Sequence, residues 1–145
     1  MTTVAAILKY KGYQVSAVDP TASIAHVAEV LSTQRIGAVL VLDRAEQLLG
    51  IVSERDIVRG LATSGARTLE MTAGQLMTRA VQVVRPDSTV EEAMRLMTNS
   101  RFRHLPVMEG EVLIGLISIG DVVKARIMEQ ASEVDSLKAY VAGTA

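Results

Sequence analysis

The chain has 145 residues, of which 49% are hydrophobic and 21% are charged. This composition is typical of a folded protein with a buried core and argues against an intrinsically disordered chain. The 15 basic and 16 acidic residues nearly cancel, so no basic surplus indicates a nucleic-acid partner or an anionic membrane surface. Cysteine is absent, which excludes disulfides and thiolate metal ligands.

Targeting and membrane signals are also missing from the sequence. The N-terminal apolar stretch is too short for a signal peptide, and its lysines follow the stretch instead of preceding it. No stretch approaches the roughly 20 apolar residues that cross a bilayer. We therefore expect a cytoplasmic protein that works without a membrane.

The most informative feature of the sequence is an internal repeat. Residues 18–24 (VDPTASI) return as residues 84–90 (VRPDSTV), and residues 50–56 (GIVSERD) return as residues 115–121 (GLISIGD). In chain order we predict an N-terminal helical segment, a first repeat, a linker with a lead-in helix, a second repeat and a C-terminal helix. These segments cover residues 1–12, 13–64, 65–80, 81–130 and 131–145, respectively.

Both repeats predict the same order of elements, β-α-β-β-α. A short strand, over residues 13–18 or 81–84, ends near a proline, which cannot donate to a sheet ladder. The helix after it is N-capped by Ser23 or Thr89 and carries apolar side chains at positions i, i+3, i+4 and i+7. Two short, nearly continuous apolar strands follow, joined by a link short enough for a hairpin. The second helix begins at a Ser-x-x-Asp motif, and residues 60–71 are predicted to form a loop.

Four motifs resemble those of the CBS domain family in its tandem form, the Bateman module. They are GIVSERDIV at residues 50–58, GLISIGDVV at 115–123, RFRHLPV at 101–107 and QLMT at 75–78, ahead of the second repeat. The resemblance covers residues 4–126 and implies an α/β (α+β) fold of two tandem CBS repeats related by a pseudo-twofold axis. It also implies two clefts between the repeats, which commonly take AMP, ADP, ATP or related adenosyl ligands. Homodimers are frequent in the family, and many aliphatic residues beside a single Phe also indicate helix faces left for a second copy.

The two Ser-x-x-Asp motifs, Ser53 with Asp56 and Ser118 with Asp121, allow two interpretations. In the first, each is a capping box, in which the serine bonds the third amide of the helix and the acid reaches back. In the second, the helix N-terminus binds phosphate, and the two carboxylate oxygens accept from both hydroxyls of a ribose. Glu or Gln is the usual acid in a capping box, whereas both motifs have Asp. The resemblance favours nucleotide binding by these four residues, with Arg55 beside the first motif.

The resemblance assigns a further set of residues to the walls of the clefts, near the base and the phosphates. They are Val15, Gly37, Ala38, Val81, Arg101, Arg103, His104, Leu105 and Pro106. The basic residues also have a structural interpretation, as cations at the negative end of a helix, which suits Arg101 because Arg35 is its counterpart. Arg103 and His104 replace small residues of the first repeat. The two clefts therefore differ chemically and are open to different ligands, a mononucleotide in one and NAD in the other.

We therefore predict a non-catalytic regulatory module that binds an adenine nucleotide and signals to a separate effector protein. The sequence has no catalytic constellation, no metal-ligand spacing and no motif for nucleotide hydrolysis, so we expect no catalytic cofactor and no metal. The alternative is a ligand-free dimerisation domain, in which the Ser-x-x-Asp motifs are only helix caps.

Overall fold

The computed structural model describes residues 2–79 and 81–143. These residues form two compact units, each built around one repeat. The first-repeat unit takes the described residues within 14–81 and 111–113, and the second-repeat unit takes those within 1–13, 82–110 and 114–145. The elements in chain order are α1 (Val4–Lys11), β1 (Ala17–Val18), α2 (Ile24–Gln34), β2 (Ala38–Leu42), β3 (Leu48–Ser53), α3 (Glu54–Ser64), a 3₁₀ helix (Gly65–Glu70), α4 (Ala73–Leu76), α5 (Val90–Ser100), β4 (His104–Glu109), β5 (Val112–Ser118) and α6 (Ile119–Gly143). No helix among the described residues is long and apolar enough to cross a membrane.

The first-repeat unit contains a three-stranded sheet in the order β1-β2-β3. β2 and β3 form the predicted antiparallel hairpin, and β1 lies parallel to β2, with Ala17 opposite Leu40. The strand predicted over residues 13–18 is therefore shorter than expected. Because β2 begins at Ala38, residues 13 and 14 would lie beyond its end in this register and would have no partner strand.

Most of the other predicted hairpin, in which β4 pairs with β5, lies in the second-repeat unit. The link between them is Gly110 and Glu111, and Gly110 has a φ of +64°, which glycine adopts without strain. The strand predicted over residues 81–84 is reduced to a single parallel bridge between Val84 and Val107. The strand order of the two repeats is thus alike, but the first strand of each is only a short edge.

The first helix of each repeat begins at the predicted cap. The Ser23 hydroxyl accepts a hydrogen bond from the amide of His26, and the Thr89 hydroxyl accepts one from the amide of Glu92. The apolar stripes of these helices are buried in two separate cores, one in each unit. The buried positions are Ile24, Val27 and Leu31 in α2, and Val90, Ala93 and Met97 in α5.

A short helix also precedes each repeat, as predicted, and each begins at a threonine cap, Thr3 for α1 and Thr72 for α4. α1 belongs to the second-repeat unit, where Val4 and Leu8 are fully buried. α4 is a single turn that belongs to the first-repeat unit and buries Ala73 in its core. Each lead-in helix therefore packs with the repeat that it does not directly precede.

The structure is more helical than predicted in two places. α3 continues through Gly60 to Ser64 and a 3₁₀ helix follows, so the loop predicted over residues 60–71 is wrong. The second helix of the second repeat and the separate C-terminal helix are one helix, α6, of 25 residues. No Gly or Pro lies between Gly120 and Gly143, so nothing in the sequence ends the helix near residue 131. Residues 144 and 145 of the predicted C-terminal helix lie outside the described residues.

Candidate functional site

Both second helices begin at a closed capping box. The Ser53 amide donates to Asp56 Oδ2 at 2.8 Å, and the Asp56 amide donates to Ser53 Oγ at 3.2 Å. The same two bonds, at the same distances, join Ser118 and Asp121. Asp therefore closes the box here although Glu or Gln is the usual acid. The capping geometry is confirmed in both repeats, so each aspartate stabilises the start of its helix.

Asp56 is surrounded by uncharged donors. Its Oδ1 accepts a hydrogen bond from the Thr78 hydroxyl at 3.3 Å, and its Oδ2 also lies 3.0 Å from the Ser53 hydroxyl. Thr78 is held in place by reciprocal backbone hydrogen bonds with Ile51, at 2.9 and 3.1 Å. The donors to this carboxylate are thus two hydroxyls and one amide.

Asp121 instead faces a charged donor. Lys11 Nζ lies 2.6 Å from Asp121 Oδ2 and also donates to the Leu116 carbonyl at 2.8 Å. Burial raises the pKa of the Asp121 carboxyl, but the hydrogen bonds from Lys11 and Ser118 and the charge of Lys11 outweigh burial and hold the pKa below its ordinary value. Asp121 is therefore ionised at neutral pH. Among the described residues, the hydrogen bonds to the Asp121 carboxylate all go to Oδ2, and Oδ1 accepts none.

The start of a hairpin strand meets the helix N-terminus in each unit. The Glu54 amide donates to the Gly37 carbonyl at 2.9 Å, and the Ile119 amide donates to the Arg103 carbonyl at 2.8 Å. These bonds occupy equivalent positions in the two repeats. They connect the predicted wall residues at 37–38 and 103–104 directly to the first turns of the helices that begin at the two Ser-x-x-Asp motifs.

In the first-repeat unit, the structure brings together most of the residues predicted for a site. Ala38 is buried and lies opposite Ser53 on the neighbouring strand. Val15 is half-buried, and the pairing of β1 with β2, extended by two residues, places it beside Ala38. Arg55 is exposed on the first turn of α3.

In the second-repeat unit, the residues predicted for a site differ in how far they are exposed to a ligand. Leu105 and Pro106 are buried in β4, and the Pro106 carbonyl already accepts a hydrogen bond from the Val84 amide at 3.0 Å. His104 is half-buried at the start of the strand. Arg101 is exposed and forms the left-handed C-cap of α5, with a φ of 61°, which agrees with its structural interpretation. Val81 is half-buried and groups with the first-repeat unit, apart from these residues.

The motif glycines allow the lead-in segments to approach. A Cβ on Gly50 would lie 2.7 Å from both Met77 Sδ and the Thr78 carbonyl oxygen, and one on Gly115 would lie 2.7 Å from Leu8 Cδ2. Such distances are shorter than any side chain tolerates. Thr78 directly follows Met77 and Lys11 lies on the same helix as Leu8, so the glycines leave room for the segments that carry the donors to the aspartates.

The sequence analysis assigned no site role to Lys11 or to Thr78, although Thr78 ends the QLMT motif at residues 75–78. The contacts that they make with Asp121 and Asp56 span 110 and 22 residues of sequence, and no periodicity encodes a contact of this kind. The available signal is the likeness of the two lead-in helices, since each of these donors follows the apolar residues of one such helix. That likeness identifies the two lead-in segments but does not predict which aspartate each of them contacts.

A cavity of about 440 Å³ lies between α1 and the first half of α6 in the second-repeat unit. Lys11 and Asp121 line it together with Lys124, whose Nζ lies 4.8 Å from the centre of the Tyr10 ring, a cation–π distance. Among the described residues, no group of three or more His, Asp or Glu could hold a metal ion.

Comparison with known proteins identifies the repeat. The family profile described as the CBS domain matches residues 12–63 and 73–127. The CBS domain-containing protein CBSX3, mitochondrial, of Arabidopsis thaliana is 34% identical over 152 aligned residues, which cover 98% of this chain and 73% of that protein. The crystal structure of the CBS-domain containing protein ATU1752 from Agrobacterium tumefaciens is 45% identical with a TM-score of 0.84, covering 86% of this chain and 93% of that one. CBSX2, crystallised in complex with AMP, is 28% identical with a TM-score of 0.73, covering 90% and 99%.

Proposed function

Since this chain belongs to the CBS domain family, we propose that it is a regulatory module that binds an adenine nucleotide at its two Ser-x-x-Asp motifs. One observation carries the proposal: in each unit a helix N-terminus, an aspartate carboxylate and the start of a strand meet at equivalent positions. The AMP complex of CBSX2 supports the class of ligand. AMP, ADP, ATP and NAD all contain the adenosine group that such a site would recognise.

The carboxylates of Asp56 and Asp121 are assigned to the ribose. A carboxylate oxygen has two lone pairs and can accept from both hydroxyls of a ribose, and each charge-assisted hydrogen bond contributes about 1.5–3 kcal/mol. Asp121 Oδ1 accepts no hydrogen bond among the described residues, and Asp56 Oδ1 has only the long one from Thr78. The capping box uses Oδ2 in both motifs, so capping and ribose binding are compatible roles for one carboxylate.

The phosphates are assigned to the helix N-termini and to the cations beside them. The positive end of the helix dipole attracts anions, and the hydroxyls of Ser53 and Ser118 lie at these ends. Arg55 serves the first site. The basic residues proposed for the second site are Arg101, Arg103 and His104. The base would lie against Val15, Gly37 and Ala38 in the first site, and against the start of β4, at Leu105 and Pro106, in the second.

The two sites are proposed to prefer different ligands. The first site has small wall residues and the uncharged Thr78 beside its aspartate. The second site has Lys11 in the equivalent place, with Arg103 and His104 on the wall. The greater positive charge of the second site suits ligands with more phosphate groups, such as ADP, ATP or the dinucleotide NAD, and the first site suits the mononucleotide AMP.

The regulatory role extends the nucleotide proposal. Occupancy of the sites would stabilise one arrangement of the chain, and a separate effector protein would respond to that arrangement, with no chemical step on the nucleotide. We also propose that the chain is a homodimer and acts in the cytoplasm. Light scattering tests the homodimer. Cell fractionation tests the cytoplasmic location, and this test is needed because the relative CBSX3 is described as mitochondrial.

A second candidate function, a ligand-free assembly domain, is favoured by the complete capping boxes, which give both aspartates a structural role. A thermal-shift series with AMP, ADP, ATP and NAD separates the two functions. A ligand that binds only the folded state at a hundred times its Kd stabilises it by about 2.7 kcal/mol, which raises the Tm by several degrees. An unchanged Tm with all four ligands would reject nucleotide binding and leave the assembly domain.

A further inference from the structure

α6 carries a row of aliphatic side chains that its own unit leaves in water. The core of the second-repeat unit buries Val122 of this helix, whereas Val123, Ile127, Val134 and Leu137 are 42%, 60%, 51% and 63% exposed. Exposed aliphatic residues on one helix face are typical of a surface that is covered in the working protein.

The spacing of these residues indicates what covers them. When Gln130 and Val141 are included, the residues of the row are separated by alternating steps of four and three. This is the heptad spacing, with a period of 3.5 residues, which keeps one face of a helix turned toward a partner helix. An amphipathic helix that packs on its own domain has a wider stripe with a period of 3.6. We name this row the α6 seam; it consists of Val123, Ile127, Gln130, Val134, Leu137 and Val141.

The residue types in the α6 seam favour two strands in parallel. In heptad notation Ile127 and Val134 occupy a positions and Leu137 a d position, and β-branched residues at a with leucine at d favour a two-stranded parallel coiled coil. Gln130 is the single polar residue within the seam. Its amide has both a donor and an acceptor, so it is best satisfied when it faces the same residue of a second copy.

The charged residues beside the α6 seam also favour a parallel pair over an antiparallel one. In a parallel pair in register, Glu133 of one copy lies next to Lys138 of the other, since a g position meets the e position five residues later. An antiparallel pair that kept the seams in contact would bring Glu133 against Glu133, and Lys124 against Lys138. The first arrangement pairs opposite charges, and the second pairs like charges.

We propose that residues 123–141 of α6 pair with the same residues of a second copy as a parallel, in-register coiled coil. The inference rests on the proposed homodimer and specifies the surface that forms it. The seam covers fewer than three heptads, which is marginal for an isolated coiled coil, so the full chain is the object to test.

The chain has no cysteine, so single cysteines report proximity directly. Gln130→Cys and Leu137→Cys place a thiol in the α6 seam, and Ser132→Cys, the matched control, places one on the side of the same helix that faces the cavity beside α1, away from the seam. Each variant is oxidised with oxidised glutathione and run on a non-reducing gel. We expect disulfide-linked dimers from both seam variants and almost none from the control, because a parallel pair brings equivalent seam residues together along its whole length.

Cross-linking at neither seam position, at only one of them, or equally at Ser132→Cys would overturn the inference. An antiparallel pair in particular does not bring both 130 and 137 next to their own copies. Light scattering of the parent protein distinguishes this failure from failure of the proposed homodimer. A dimer mass without cross-links means that the homodimer uses another surface, and a monomer mass rejects both.

Discussion

Lys11→Met tests the long-range contact at the second Ser-x-x-Asp motif. The substitution removes the ammonium that lies 2.6 Å from Asp121 Oδ2 but leaves the capping box with Ser118. The side chains of Lys11 and Asp121 are 34% and 24% exposed, so water screens part of their attraction. We therefore expect the free energy of unfolding at pH 7 to fall by about 1 kcal/mol. For a chain of this size the Tm should fall by about 3–4 °C.

The effect of Lys11→Met should depend on pH with a definite sign. The folded state holds the pKa of Asp121 below its unfolded value, so the pair stabilises the fold above the unfolded pKa, and this stabilisation is lost as the pH falls through the folded pKa. The difference in Tm between parent and variant should be largest near neutral pH and shrink below about pH 4. Lys9→Met removes the same charge from an exposed position of α1 and is the matched control. Equal Tm values for the parent and Lys11→Met at pH 7, or an equal fall in Lys9→Met, would refute the reasoning.

Three further predictions concern the motif glycine, the cap and the base. Gly115→Ala should lower the free energy of unfolding in urea by about 1–3 kcal/mol, because its Cβ would clash with Leu8, whereas Gly120→Ala meets nothing closer than 3.6 Å and should cost nothing; equal urea midpoints would contradict this. Ser118→Ala should cost about 1 kcal/mol of stability, since its hydroxyl caps the Asp121 amide, and an unchanged Tm would show that the cap is dispensable. Calorimetry should give a lower Kd for AMP than for GMP, because backbone groups at the strand starts would pair with the amine of adenine and leave the carbonyl of guanine unpaired. Equal Kd values would reject that assignment of the base.

Most of the elements could be predicted because their signals are local. The caps at Ser23 and Thr89, and the apolar stripes after them, lie within one helix each and appear in both repeats. The unbroken course of α6 is also encoded locally, since its sequence has no breaker, but the prediction divided it into two helices. The first strand of each repeat was harder to predict, because its length depends on where the partner strand begins and not on its own residues.

The candidate site was only partly predictable, for a different reason. The two Ser-x-x-Asp motifs and the wall residues at 37–38 and 103–104 recur at fixed positions in the repeat, so the sequence identifies them. Lys11 and Thr78 reach the aspartates through packing of the lead-in helices, which places each helix with the repeat that it does not precede. The sequence shows that two such helices exist but not which unit each one joins. The difference between the two aspartates in their donors, Lys11 and Thr78, therefore depends on tertiary structure, whereas the difference between the walls is present in the sequence.

Calorimetric titration of AMP into the parent protein, Asp56→Ala, Asp121→Ala and Asp121→Glu tests the central claim most directly, with the Tm of each protein measured in parallel. If Asp121 binds the ribose, loss of two charge-assisted hydrogen bonds should weaken the affinity of its site by about a hundredfold or more. Asp56→Ala should weaken the other site in the same way. Asp121→Glu should restore the Tm, because Glu also closes a capping box, but not the affinity, because its carboxylate lies one methylene farther out. The account would be contradicted if Asp121→Ala bound AMP as tightly as the parent while its Tm fell. The aspartates would then serve only as helix caps.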